Sequence, residues 1–143
     1  MCPYNFKGMK NEYLEIYHHD SDRTVTHKLN SLELRGWITT LKYVQKEIGS
    51  LVDICSNEIR SKLKDSDLFV KFDKKKEENA RILEILTRYS HSRSSIMECD
   101  EMECDMAYIK EHEMYRKSYH YHLDKYRMLK EEFFAKMRKK LVS

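Results

Sequence analysis

Residues 34–55 read LRGWITTLKYVQKEIGSLVDIC, with an apolar line at Leu34, Trp37, Leu41, Val44, Ile48, Leu51 and Cys55. The steps alternate between three and four residues, which places all seven on one face of a helix. The alternation recurs at Leu68, Phe72, Ile82, Leu86, Tyr89 and Ile96, with Lys75, Asn79 and Arg93 as polar members of the line. It recurs again at His112, Tyr115, Tyr119, His122, Tyr126, Leu129 and Phe133. Three such stretches in one chain predict three long helices.

A second line broadens each seam: Ile38, Val52 and Ile59, then Phe69, Leu83 and Met97, then Ile109, Leu123 and Met137. Stripes of this width suit helices that each meet two neighbours, whereas a two-stranded coiled coil needs less. Short connectors between consecutive helices make them antiparallel. The expected architecture is therefore all-α, an antiparallel up-down-up bundle over residues 25–143 with helices at about 25–63, 67–97 and 105–141. A loosely structured N-terminal arm, residues 1–24, precedes it. Within the arm, Tyr13, Leu14, Ile16 and Tyr17 suit either a short strand or a helical turn, and His18 to Asp22 reads as a turn.

Composition agrees with helices. Three glycines and one proline in 143 residues are too few to supply the turns of an all-β fold. Charged residues make up 36% of the chain, yet the apolar residues are gathered into stripes, which separates it from a disordered polymer. With 27 basic against 24 acidic residues, the net charge of +3 does not favour a nucleic-acid partner. No apolar run is long enough for a transmembrane segment, and the start of the chain lacks a secretion-signal core. The expectation is a cytoplasmic protein with reduced thiols.

Helix boundaries are read from local chemistry. Asn30 with Glu33 has the form of a capping box, and a start near Asp22 is the other option. Gly36 and Gly49 mark either close approach of a neighbouring helix or, at Gly49-Ser50, a bend. Asn79 falls on the seam as a register-setting polar residue. The acidic run Glu98-Cys99-Asp100-Glu101-Met102-Glu103-Cys104-Asp105 reads as a connector, because its carboxylates favour a helix start and disfavour a helix end.

Few residues suggest chemistry. Cys99, Cys104, Asp100 and Asp105 are the candidate metal ligands, and Cys99/Cys104 the candidate redox pair. Their C-x4-C spacing lacks the second pair of a structural zinc site. Nearby carboxylates raise a thiol pKa, against a reactive nucleophile. His112 and His122 point to the seam and read as packing histidines, and His112-Glu113 does not complete H-E-x-x-H because position 116 is Arg. Tyr108, Tyr121 and Phe134 lie outside the main seam and are candidate interaction residues. No phosphate loop, nucleophile elbow or triad spacing is present.

The stretch Leu29-Asn30-Ser31-Leu32-Glu33-Leu34-Arg35-Gly36-Trp37 and the Glu-Cys-Asp connector resemble short, uncharacterised helical proteins of bacteria. That resemblance implies a helical bundle and carries no activity. The expected role is a non-enzymatic interaction or scaffold module without cofactors, with protein partners and self-association both open. The alternative is a metal-binding or redox protein built on Cys99 and Cys104. A third reading takes the basic C-terminus to nucleic acid or an anionic membrane.

Overall fold

Three long helices organise the chain: α1 (Asp22–Ile54), α2 (Ser66–Ser92) and α3 (Met102–Leu141), with a 3-10 segment, Arg93–Glu98, following α2. The computed structural model describes residues 15–55, 61, 66–98 and 102–141. Among these residues there is no strand.

α1 starts at the earlier of the two expected positions. Ser21 is extended, and its hydroxyl accepts from the Thr24 N–H at 3.1 Å, while Asp22 adds negative charge to the first turn. Asn30 is therefore inside the helix, and the capping box at Asn30 and Glu33 does not form. The cap ahead of it is fixed by a docked turn. The Asp20 carboxylate accepts from the Tyr17 N–H at 2.7 Å and from Lys28 Nζ at 2.8 Å, and Lys28 also donates to the Glu15 carbonyl at 2.6 Å. Thus residues 15–20 are tied to α1. Of the expected arm, residues 15–21 form this turn and cap and residues 22–24 belong to α1, while residues 1–14, Tyr13 and Leu14 among them, lie outside the described residues.

At its other end α1 stops at Ile54, and Cys55 leaves the helix with its N–H on the Val52 carbonyl. Most of the remaining stretch expected to be helical, 55–63, lies outside the described residues. α3 begins before the expected residue 105. Met102 to Asp105, read as connector, forms its first turn, where Glu103 and Asp105 complement the helix dipole. Lys139, Lys140 and Arg138 occupy the last turn for the opposite reason.

Cross-helix pairings establish the up-down-up order. Arg93 on the 3-10 segment reaches His27 and Ser31 near the start of α1, while Asn79 reaches Leu41 and Gln45 further along it. Chain numbers fall in α2 as they rise in α1, so the two are antiparallel. Tyr89 meets His112 and Phe72 meets Phe133, so α2 and α3 are antiparallel as well. The seam residues meet at the axis. Leu34, Trp37, Leu41, Ile48, Leu68, Phe72, Leu86, Tyr119, Tyr126 and Phe133 form one core, lined by half-buried Ile38, Val52, Phe69, Leu83 and Met137. Phe72 and Phe133 meet edge to face with centroids 5.3 Å apart. Ile109, from the second expected line, is instead exposed. Ile59 and the Met97 side chain lie outside the described residues.

The two glycines of α1 do not mark close packing. A Cβ added at Gly36 or Gly49 would meet nothing within 4 Å, and α1 continues through both. Gly36→Ala and Gly49→Ala should therefore each stabilise the protein by about 0.5–1 kcal/mol in denaturant melts, because alanine restricts the unfolded chain without meeting an obstacle. Leu41→Ala and Ile48→Ala have the opposite sign. Both residues are fully enclosed, so each change should cost about 2–5 kcal/mol. A cost near that of a surface change, below about 0.5 kcal/mol, would be incompatible with this core.

Candidate functional site

The most concentrated chemistry lies inside the bundle. His112, on α3, is completely buried. Its Nδ1 lies 2.7 Å from the Tyr89 hydroxyl of α2, and its Nε2 lies 2.8 Å from the Glu33 carboxylate of α1. One residue from each helix thus meets at a single ring. A neutral imidazole satisfies both contacts, with Nε2–H donating to Glu33 and Nδ1 accepting the Tyr89 O–H. Trp37 stacks on the ring with centroids 4.8 Å apart, and Tyr119 stacks on Trp37 at 5.3 Å.

Two arginines close the network. Arg116, one turn along α3 from His112, holds Glu33 through Nε at 2.9 Å and Nη2 at 2.6 Å. It also pairs with Glu113. Arg93 is buried, donating to the Tyr89 hydroxyl at 2.9 Å, to Ser31 and to the His27 carbonyl at 2.8 Å. The Arg116 hydrogen bond is the main reason the Glu33 carboxyl is held below its ordinary pKa, against the opposing effect of burial. Burial raises the Tyr89 phenol above its ordinary value despite the Arg93 charge.

A second polar layer lies further along. Asn79 donates to the Leu41 carbonyl at 2.9 Å and to Gln45 at 2.7 Å, and accepts from His122 Nε2 at 2.8 Å. It again joins all three helices. A third lies at the edge, where Tyr126 and Lys130 both reach Glu47. Burial pushes the Glu47 carboxyl up, and the Lys130 and Tyr126 hydrogen bonds together bring it below its ordinary value. Tyr126 moves strongly upward through burial and the same carboxylate. Beside this trio an open cleft of about 360 Å³ is lined by Thr39, Tyr43, Glu47, Tyr126 and Arg127, among others.

The residues singled out from sequence fare differently. Asp105 sits in the first turn of α3 with His27 and Arg23 of α1 on one oxygen, so it is an interhelix anchor. The His27 interaction is the main cause of its lowered pKa. His27 Nδ1, on the other side of that ring, is buried with no hydrogen-bond partner. Cys104 is disulfide-bonded, so the expectation of reduced thiols does not hold there and its sulfur offers no thiolate to a metal. Cys55 packs as a thiol in the core. Cys99 and Asp100 lie outside the described residues. Among the described residues no three His, Cys, Asp or Glu side chains are grouped to hold a metal ion.

Tyr108 is half-buried, while Tyr121 and Phe134 are exposed. The three do not share a face. Thirteen residues are about 3.6 turns, which leaves successive members about 140° apart on α3. Tyr121 instead belongs to another line, with Met114 and Met128, and these three are 68%, 70% and 62% exposed. Sequence reasoning passed over this line because it followed the buried seam. The signal was present as the seven-residue spacing 114, 121, 128. No helix among the described residues is long and apolar enough to cross a membrane. No protein-family model, curated protein or solved structure matches the chain.

Both seam histidines supply a pH test. Burial depresses the pKa of each. At His112, Arg93 and Arg116 add to burial while Glu33 opposes it, and at His122, Lys75 adds while Glu78 opposes. Below about pH 6.5 the unfolded chain therefore binds protons that the folded rings refuse. Their contribution to stability should be fully present above about pH 6.5 and be lost as the pH falls through the folded-state values. Denaturant melts between about pH 7.5 and pH 5 should show a steeper loss for the parent than for His112→Gln/His122→Gln. Equal slopes would remove these rings from the buried seam. The Asn79 layer can be tested at fixed pH. Asn79→Leu leaves the buried His122 N–H and the Leu41 carbonyl without this partner, and should destabilise the fold by about 1–3 kcal/mol despite being more apolar.

Proposed function

We propose that this chain is a non-enzymatic interaction module that presents the solvent face of α3 to a protein partner. The observation that carries the reading is the exposed line Met114, Tyr121 and Met128 on a helix whose opposite face is already filled. Buried polar layers support it by making the helix a rigid platform, since the His112 and Asn79 layers each tie α1, α2 and α3 together at one register. The polar groups of those layers are engaged with one another: Glu33 holds Arg116 and His112, and Asn79 holds His122. That is the chemistry of a structural network.

The alternative built on Cys99 and Cys104 retains one observation in its favour, the disulfide at Cys104. It favours thiol–disulfide chemistry over metal binding. It also bears on location, because reducing compartments open most disulfides. A cytoplasmic module would carry Cys104 reduced, and alkylation followed by mass spectrometry of protein from its native cells reports its state. Cys99→Ser/Cys104→Ser should keep its helicity and its partner if the interaction reading is right, and lose its function if the redox reading is.

Photo-crosslinking tests the surface itself. A benzophenone amino acid at position 121 should give a discrete crosslinked species in native cells, and one at the exposed Lys76 of α2 should not. Equal labelling from both positions, or none from either, would defeat the assignment to α3.

A further inference from the structure

The exposed face of α3 is complementary to itself. Its apolar line extends at seven-residue intervals through Ala107, Met114, Tyr121, Met128 and Ala135, and all five are exposed. Read from either end the order is the same: Ala, Met, Tyr, Met, Ala. Along one flank, also at seven-residue intervals, run Glu103, Lys110, Lys117, Asp124, Glu131 and Arg138, again all exposed. This flank reads as its own opposite when reversed. Glu103 is the counterpart of Arg138, Lys110 of Glu131, and Lys117 of Asp124.

Such a pattern has one geometric use. When two helices pack antiparallel about a two-fold axis, each flank faces the same flank of the other copy. Placing the axis at Tyr121 brings Met114 against Met128 of the second copy and matches every charge on this flank with an opposite one. A parallel pair would set this flank against the other one and lose the match. We propose that a second copy of this chain covers the face, giving an antiparallel α3–α3 homodimer centred on Tyr121. The proposal rests on the interaction reading above and names its partner.

The opposite flank is compatible. It carries Glu111, Ser118, Lys125 and Glu132, so the same axis opposes Glu111 to Glu132 of the second copy. Glu132 is already paired with Lys136 at 3.1 Å and Lys71 at 3.5 Å within its own chain, which offsets the like charge. Lys125 lies over the Tyr121 ring at 5.4 Å and shields the edge of the apolar line. The heptad spacing matches that of the buried seam of α3, so both lines follow the same supercoil and keep their faces along the helix. One helix face per copy is a small interface, of the size class found in weak or transient complexes.

Sedimentation equilibrium from about 1 μM to about 1 mM should show a monomer–dimer equilibrium for the full chain. Lys117→Glu creates two like-charge pairs across the axis and should weaken the dimer roughly 5- to 30-fold. Adding Asp124→Lys to the same chain restores both pairs and should return the affinity to within about threefold of the parent. Tyr121→Glu should abolish dimerisation. These residues are exposed, so helicity and melting temperature at low concentration should stay at parental values and keep folding separate from association. A parent that stays monomeric throughout would overturn the homodimer, as would a dimer indifferent to Lys117→Glu and Tyr121→Glu, or a double swap that fails to rescue. A monomeric parent that crosslinks through position 121 to a different protein would overturn self-pairing and leave the interaction reading standing.

Discussion

The ring of His112 is the point on which the three helices agree. It is buried, it accepts from Tyr89 of α2, it donates to Glu33 of α1, and Trp37 of α1 lies flat against it. Apolar seams of seven-residue periodicity tolerate a slide of one heptad, because leucine replaces leucine. A donor and an acceptor held at opposite edges of one ring do not, since a slide leaves both buried without partners. Asn79 repeats the constraint further along with contacts to α1 and α3. Two such layers fix register and helix order more sharply than the surrounding apolar packing can.

The network is closed by charge. Arg93 and Arg116 sit on opposite sides of His112 and add their charges to the burial that keeps the ring neutral. Glu33 is held ionised by Arg116 and stands at the Nε2 edge. Arg116 thus stabilises the Glu33 charge, while burial and the two arginines outweigh the pull of that charge toward a protonated His112. At the start of the bundle, Arg23, His27 and Asp105 join α1 to α3 in the same manner, with the carboxylate at the dipole-favoured end of α3.

α3 distributes its residues unusually. His112, His122, Tyr119 and Tyr126 face inward, and Met114, Tyr121 and Met128 face outward. The inward polar groups are acceptable because α1 and α2 supply partners. Among the described residues nothing covers the outward line of Met114, Tyr121 and Met128, and the mirror order of that line and of its charged flank is the basis for proposing a second α3.

Much of the fold was legible in the sequence. The steps of three and four located the helices, and every member of the first seam from Leu34 to Cys55 is buried. Asn79 was legible as a polar residue on an apolar line. The capping residue was not, because Asn30 and Glu33 satisfy the local rule for a cap. Glu33 is instead drawn to Arg116 and His112, far away along the chain. The acidic stretch after Glu98 read as a connector for a similar reason. Its charge pattern indicates that a helix begins somewhere within it, and the anchoring of Asp105 by His27 and Arg23 accompanies a start at Met102. By itself, then, the sequence determined periodicity, and with it the number of helices and the face each one buries, because those depend on residues a few positions apart. Which polar groups meet in the core, which proton sits on which ring, and which line of α3 remains uncovered were decided only by the tertiary structure, because they depend on side chains brought together from three separate helices.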